Sequence, residues 1–176
     1  PKDFWSVQGI AIAGSDCALY RERIREMWGS DPLEVYGCTE GLVIATQTWD
    51  RQGMTFHPNL NFLEFIPEQE HYKASAIPGY HPDTLLLDEV SPGENYELVI
   101  TSLLGGAFVR YRLGDMVKVT ALRNEALDID LPQISFYTRD DGLIDLAGFT
   151  RLTEKTIAQA LAAAGVSCRD WVARRE

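Results

Sequence analysis

The stretch that most constrains the fold is Phe108–Asp115, FVRYRLGD, which lies between two apolar β-prone runs, YELVITSLL and MVKVTAL. In an extended chain Arg110 and Arg112 share one face, whereas the apolar side chains between them share the other. Gly114 permits the positive φ of a tight reversal, and Asp115 would then project its carboxylate from the turn. The pattern predicts a charged turn between strands, held by the two arginines.

Asp115 allows two interpretations. A carboxylate in this place can accept hydrogen bonds from a diol, such as the two hydroxyls of a ribose. The alternative is an exposed β-turn with ordinary surface arginines, and the spacing alone favours that alternative.

The overall charge excludes two classes of partner. The chain has 176 residues, of which 26 are acidic and 16 basic, for a formal net charge of −10. Such a surface repels nucleic-acid phosphates and anionic lipid, and no apolar run approaches the roughly 18 to 20 residues of a membrane-spanning helix. We therefore expect no nucleic-acid partner, no membrane and a cytoplasmic location, with Cys17, Cys38 and Cys168 as free thiols.

Residues 1–50 follow a strand–helix–strand pattern. The apolar run VQGIAIA ends at Gly14, and Ser15 or Asp16 can cap the helix that follows. Gly29 ends this helix, and a second extended piece leads into the loop GCTEG. The loops of such a unit can meet at one edge of a sheet, where ligands of open α/β sheets bind.

The loop GCTEG, which begins at Gly37, carries groups suited to a nucleotide. Thr39 could donate to a phosphate oxygen, and Glu40 could hold a magnesium ion. Tyr36, just before the loop, offers a flat face on which a base could stack. The alternative is a plain turn beside a core tyrosine.

The sequence of residues 51–138 predicts a small antiparallel sheet or barrel, because short runs of alternating apolar and polar residues are separated by turn residues. Residues 68–83 are predicted to form a long polar loop or flap, and residues 85–90 a strand. The three histidines have irregular spacing and predict neither a metal site nor a catalytic base. Residues 139–176 are expected to form a hinge and the start of a small C-terminal domain, with a helix over 152–164 that has Thr153 near its cap.

Three loops occur in an order that resembles a known superfamily. VYGCTEG, FVRYRLGD and TRDDGLIDLAGF resemble the core motifs of the adenylate-forming enzymes: acyl-CoA synthetases, peptide-synthetase adenylation domains and luciferases. PNLNFLEFIPEQE and YELVITSLLGGAFVRYRLGDMVKVT most resemble the Gretchen Hagen family of acyl-acid amido synthetases, the auxin- and jasmonate-conjugating enzymes of plants and their bacterial relatives. The resemblance covers nearly the whole chain. It implies a mixed α+β fold: part of a doubly wound α/β sheet, then a small antiparallel sheet or barrel.

The resemblance also implies roles for the residues of the first motif. Tyr36 would pack on adenine, with Gly37 beside it in the same nucleotide-binding motif. Thr39 would meet the α-phosphate and Glu40 would bind magnesium, which makes these two the implied catalytic residues.

The other motifs imply the rest of a nucleotide site. Asp115 would grip the ribose hydroxyls, and Arg139 would also reach the ribose. Gly14 and Ser15 would belong to a turn that passes close to the adenine.

The implied function is ATP-dependent adenylation of a carboxylic acid, with magnesium, followed by transfer of the acyl group to an amine. The alternatives are an acyl-CoA ligase of the same superfamily, with coenzyme A as acceptor, and a non-catalytic nucleotide-binding or interaction module. The acyl pocket and phosphate loop are expected before Pro1, and the lysine of the small domain after Glu176. We therefore expect the chain to be an internal fragment that is inactive by itself.

Overall fold

The computed structural model describes residues 1–14, 17–139, 144–146, 150–168 and 171–174. The chain divides into two compact units, residues 1–137 and residues 138–176. The first unit carries an eight-stranded sheet and two helices. Its helices are α1 (Cys17–Trp28) and α2 (Glu68–Ala76). Its strands are β1 (Ile10–Ile12), β2 (Pro32–Cys38), β3 (Leu42–Gln47), β4 (Met54–Phe56), β5 (Asn61–Pro67), β6 (Asn95–Ser102), β7 (Tyr111–Ala121) and β8 (Gln133–Arg139), whose last residues run into the second unit.

The strand order in the sheet is β1-β2-β3-β4-β8-β7-β6-β5. Strands β1 and β2 are parallel and are joined by α1, which confirms the predicted strand–helix–strand unit. The pairs β2–β3, β3–β4, β4–β8, β5–β6 and β6–β7 are antiparallel. The class is therefore mixed α+β, as expected. Helix α1 ends where predicted, because Gly29 has φ +74° and its N–H donates to the carbonyl oxygen of Arg25.

The sheet curls around its core. Tyr36 on β2 and Asp115 on β7 belong to strands four steps apart in the sheet order, yet their side chains are hydrogen-bonded. Four steps of a flat sheet would span about 19 Å, which a tyrosine side chain cannot bridge. The buried apolar core of this unit includes Ile44, Met54, Phe56, Phe65, Leu98, Ile100, Val117 and Ile134.

Two expectations for the middle of the chain are wrong. Residues 68–76 form helix α2 rather than a loop, because Glu68 and Glu70 favour the first turn of a helix and His71 is buried. Residues 85–90 do not form a strand, and Leu85 makes only an isolated bridge to Phe65.

The second unit contains two short strands and a helix in its described residues. Strands β9 (Ile144–Leu146) and β10 (Thr150–Leu152) pair antiparallel. Helix α3 (Glu154–Ala163) follows, and Thr153 caps it by accepting a hydrogen bond from the N–H of Thr156 at 3.1 Å. This confirms the predicted C-terminal helix and its cap. The division of the chain into functional parts at residues 50 and 138 stays a prediction. Among the helices of the described part of the chain, none is long and apolar enough to cross a membrane.

Candidate functional site

Asp115 is a buried residue in a β-bulge of β7. The register of β6 and β7 shifts between Glu97 and Val99, so that a step of two residues along β6 matches a step of four along β7. Gly114 lies inside this bulge with φ +72°, a conformation that favours glycine. The predicted tight reversal at Gly114 is therefore wrong: the chain continues as a strand, and the glycine serves a bulge.

The carboxylate of Asp115 is hydrogen-bonded to Tyr36. The tyrosine hydroxyl donates to Oδ2 at 2.9 Å, and the two residues are only 7% and 8% exposed. The ring of Tyr36 belongs to the core, with its centroid 6.0 Å from that of Phe136. This contact joins the first two motifs across 79 positions of sequence.

The turn between β2 and β3 carries Thr39 and Glu40. Thr39 is exposed and Glu40 is partly exposed, so solvent reaches both residues. They follow Tyr36 by three and four positions, and three residues of extended chain span at most about 11 Å. Gly37 is required there, because a Cβ at this position would lie 2.3 Å from the carbonyl oxygen of Leu42. The turn thus stays close to the pair formed by Tyr36 and Asp115.

Cys38 lies in the same turn and acts as a hydrogen-bond acceptor. Its Sγ accepts from the N–H of Gly41 at 3.2 Å. Burial raises the pKa of this thiol, and the nearby carboxylate of Glu40 adds to the rise. The thiol is therefore protonated at neutral pH and is a poor nucleophile. All three cysteines are free, as predicted.

The remaining predicted site residues lie elsewhere or outside the description. Gly14 follows β1 with φ +85°, as a turn requires. Ser15 lies outside the described residues. Arg139 is the last residue of β8, belongs to the second unit and is exposed. Their proposed contacts with a nucleotide stay predictions.

The two arginines of FVRYRLGD bind carboxylates on neighbouring strands. Arg110 forms a forked pair with Glu64 of β5, with its Nε 3.0 Å from Oε2 and its Nη2 2.9 Å from Oε1. Arg112 forms a second fork with Glu97 of β6, which also contacts Nδ1 of His71 at 2.6 Å. The arginines therefore act as struts, as predicted: Arg112 lies in β7, whereas Arg110 lies in the bend just before it.

Glu97 is a buried, charged residue that the sequence analysis missed. Burial works to raise the pKa of Glu97, but the hydrogen bonds from His71 and Arg112 outweigh it and hold the pKa below its ordinary value. The available signal was a lone carboxylate in the apolar strand YELVIT. A charged residue in such a strand indicates a buried partner.

Comparison with known proteins gives a match to a family model and several named sequence relatives. Residues 54–139 match the family model described as the GH3 family central domain. The jasmonoyl-L-amino acid synthetase JAR4 of Nicotiana attenuata is 32% identical over 151 residues, which are 82% of this chain and 24% of that protein. The jasmonoyl-L-amino acid synthetase GH3.5 of Oryza sativa subsp. japonica is 30% identical over 81% of this chain and 25% of its own length. The chain thus spans about a quarter of the length of these relatives.

Solved structures share the fold. The GH3.15 acyl acid amido synthetase has a TM-score of 0.59 at 18% identity, over 84% of this chain and 24% of that chain. A 2-hydroxyisobutyryl-CoA ligase in complex with 2-HIB-AMP has a TM-score of 0.62 at 16% identity, over 87% of this chain and 31% of that chain. The fold is that of the adenylate-forming ligases. Residues 54–139 belong to the GH3 family, and this confirms the resemblance of the motifs to that family.

Proposed function

We propose that this chain is the nucleotide-binding part of an ATP-dependent ligase, which adenylates a carboxylic acid and then transfers the acyl group to an amine. The observation that carries the proposal is the hydrogen bond between Tyr36 and Asp115, because it brings the first two motifs to one place in the fold. The relatives named jasmonoyl-L-amino acid synthetase support an acid substrate and an amino-acid acceptor rather than coenzyme A.

Asp115 is proposed to bind the ribose. The hydroxyl of Tyr36 donates a hydrogen bond to its carboxylate and orients it. A carboxylate can accept hydrogen bonds from the two ribose hydroxyls. Tyr36 would in addition pack against adenine, near the turn at Gly14 and Ser15, and Arg139 would also reach the ribose.

The turn after Tyr36 is proposed to bind the phosphates. The Thr39 hydroxyl would donate to an α-phosphate oxygen, and Gly37 would let the backbone approach closely. Glu40 offers the oxygen ligands that Mg²⁺ prefers, and its partial exposure leaves room for the waters that this ion keeps. When bound, Mg²⁺ would neutralise charge on the phosphates during acyl-adenylate formation.

These residues supply the nucleotide half of the reaction, so the chain is proposed to bind nucleotide without catalysing adenylation. The carboxylate substrate and the amine would be held by other parts of a longer protein. A cytoplasmic location is part of the proposal, because free thiols are typical of reducing compartments.

Calorimetric titration with AMP, ATP and ATP with Mg²⁺ tests the assignment. We expect Asp115→Ala to lose affinity for all three ligands, and Glu40→Gln to lose only the increase that Mg²⁺ gives to ATP binding. Asp130→Asn, which changes an exposed carboxylate in the loop before β8, is the matched control and should bind as the unchanged chain does. Equal binding by all variants would contradict the proposal. Pyrophosphate exchange that the chain alone catalyses when a carboxylic acid is added would contradict the proposal that the chain is inactive by itself.

A further inference from the structure

Asn61 is a buried amide at the first position of β5. The residue is 1% exposed and lies on the same strand face as the core residues Leu63 and Phe65. Its Nδ2 donates to the carbonyl oxygen of Gly41 at 2.8 Å. Strand β5 is an edge of the sheet, so this bond ties that edge to the turn between β2 and β3.

The turn lies directly against the strands at this edge. A Cβ on Gly41 would lie 2.8 Å from Cδ1 of Ile100 on β6 and 3.3 Å from Oδ1 of Asn61. The N–H of Gly41 is bound as well, because it donates to Sγ of Cys38. Both backbone polar groups of Gly41 are therefore held by side chains, one from the turn and one from β5.

The other polar atom of the Asn61 side chain, Oδ1, contributes no comparable hydrogen bond within the described residues. Among the residues that the structure describes, Oδ1 of Asn61 has no hydrogen-bond partner although it is buried. A buried carbonyl without a partner opposes folding. A leucine would fill a similar volume without that cost, so the amide serves the position of the turn rather than the packing of the core.

We propose that Asn61 is a positioning residue, which holds the turn between β2 and β3 and thereby places Thr39 and Glu40 for the phosphates. The consequence for binding rests on the proposed function, whereas the clamp on Gly41 does not. The bond between Tyr36 and Asp115 involves neither Asn61 nor Gly41. Recognition of ribose should therefore be separable from recognition of phosphate.

Asn61→Leu removes the donor and keeps the volume. Asn95→Leu is the matched control, because Asn95 also begins a strand and donates its Nδ2 to Glu68. Within the described part of the chain, its Oδ1 likewise has no partner. In the absence of nucleotide, we expect amide hydrogen exchange at Glu40 and Gly41 to become at least about fivefold faster in Asn61→Leu, the equivalent of one hydrogen bond. The exchange should be unchanged in Asn95→Leu.

Titration with adenosine and AMP then reads out the consequence. We expect Asn61→Leu to bind AMP about fivefold more weakly and adenosine within about twofold of the unchanged chain. A general loss of structure would weaken both ligands together, and that result would overturn the positioning role. Unchanged exchange at Gly41 would overturn the clamp. If the unchanged chain bound neither ligand, the proposed function and the phosphate-positioning role would both fail, and the exchange data would show separately whether the clamp exists.

Discussion

Two buried carboxylates lie at the bulge of β7, one on each of the paired strands, and their surroundings differ. Glu97 of β6 is bound by the guanidinium of Arg112 and by His71. Asp115 of β7 accepts a hydrogen bond from the uncharged hydroxyl of Tyr36. The two residues are similarly inaccessible, at 1% and 8% exposure, so burial alone does not distinguish their roles.

The chemistry of their partners does distinguish them. A carboxylate paired with a guanidinium fork is compensated within the protein, and removing it leaves the partner charge behind. The hydroxyl of Tyr36 places the carboxylate of Asp115 beside the first motif. We assign Glu97 to stability because its carboxylate binds both Arg112 and His71. We propose that Asp115 serves binding because its contact with Tyr36 brings the first two motifs together. Each of the changes below tests that contrast.

The largest effect on stability is expected from Glu97→Ala. This change leaves Arg112 and the buried His71 without their shared carboxylate, and the free energy of unfolding should fall by about 3 kcal/mol. Chemical denaturation followed by circular dichroism measures it. Glu94→Ala, an exposed glutamate just before β6, should change it by less than about 0.5 kcal/mol. Equal losses of unfolding free energy in the two variants would contradict a structural role for Glu97.

Acid should weaken the same cluster. Because the pKa of Glu97 in the folded chain lies below its ordinary value of 4.5, the folded state favours the ionised carboxylate. Its stabilisation is complete above that ordinary value and is lost as the pH falls through the lower, folded pKa. The difference in Tm between the unchanged chain and Glu97→Gln should therefore be largest near about pH 6 and shrink towards about pH 3. A difference in Tm that grows as the pH falls would contradict this prediction.

A smaller effect is expected from Tyr36→Phe, which removes the hydroxyl and keeps the ring. Stability should fall by about 1 kcal/mol and adenosine affinity by about fivefold, because the Asp115 carboxylate loses the donor that orients it. Tyr96→Phe is the matched control, since Tyr96 is also a core tyrosine and its hydroxyl accepts from the N–H of Ser91. That variant should lose similar stability and keep its affinity. Unchanged affinity in Tyr36→Phe would limit Tyr36 to packing by its ring.

Local patterns predicted much of the fold. The strand–helix–strand unit, whose helix ends at Gly29, and the helix capped by Thr153 follow from apolar periodicity and from residues that act within one turn. Helix α2 was not predicted, because its sequence is mostly polar and its one buried residue, His71, depends on a carboxylate 26 positions away.

Prediction of the candidate site was limited in the same way, because the site depends on contacts between residues that are far apart in the sequence. Gly114 with positive φ suits a turn or a bulge equally, and only the register with β6 decides between them. The motifs named Tyr36 and Asp115, but their contact depends on the curl of a sheet in which three strands lie between theirs. Asn61 could not be found from its sequence neighbours, because its partner Gly41 is brought close only by that curl.

Adenosine binding to Asp115→Asn and Glu97→Gln, compared under conditions where both variants are folded, tests the assignment of the two carboxylates most directly. Titrations followed by amide chemical shifts give both dissociation constants. We predict that Asp115→Asn weakens adenosine binding by about tenfold or more, the loss of one charge-assisted hydrogen bond, while Glu97→Gln binds within about twofold of the unchanged chain. Unchanged adenosine affinity in Asp115→Asn would contradict the account.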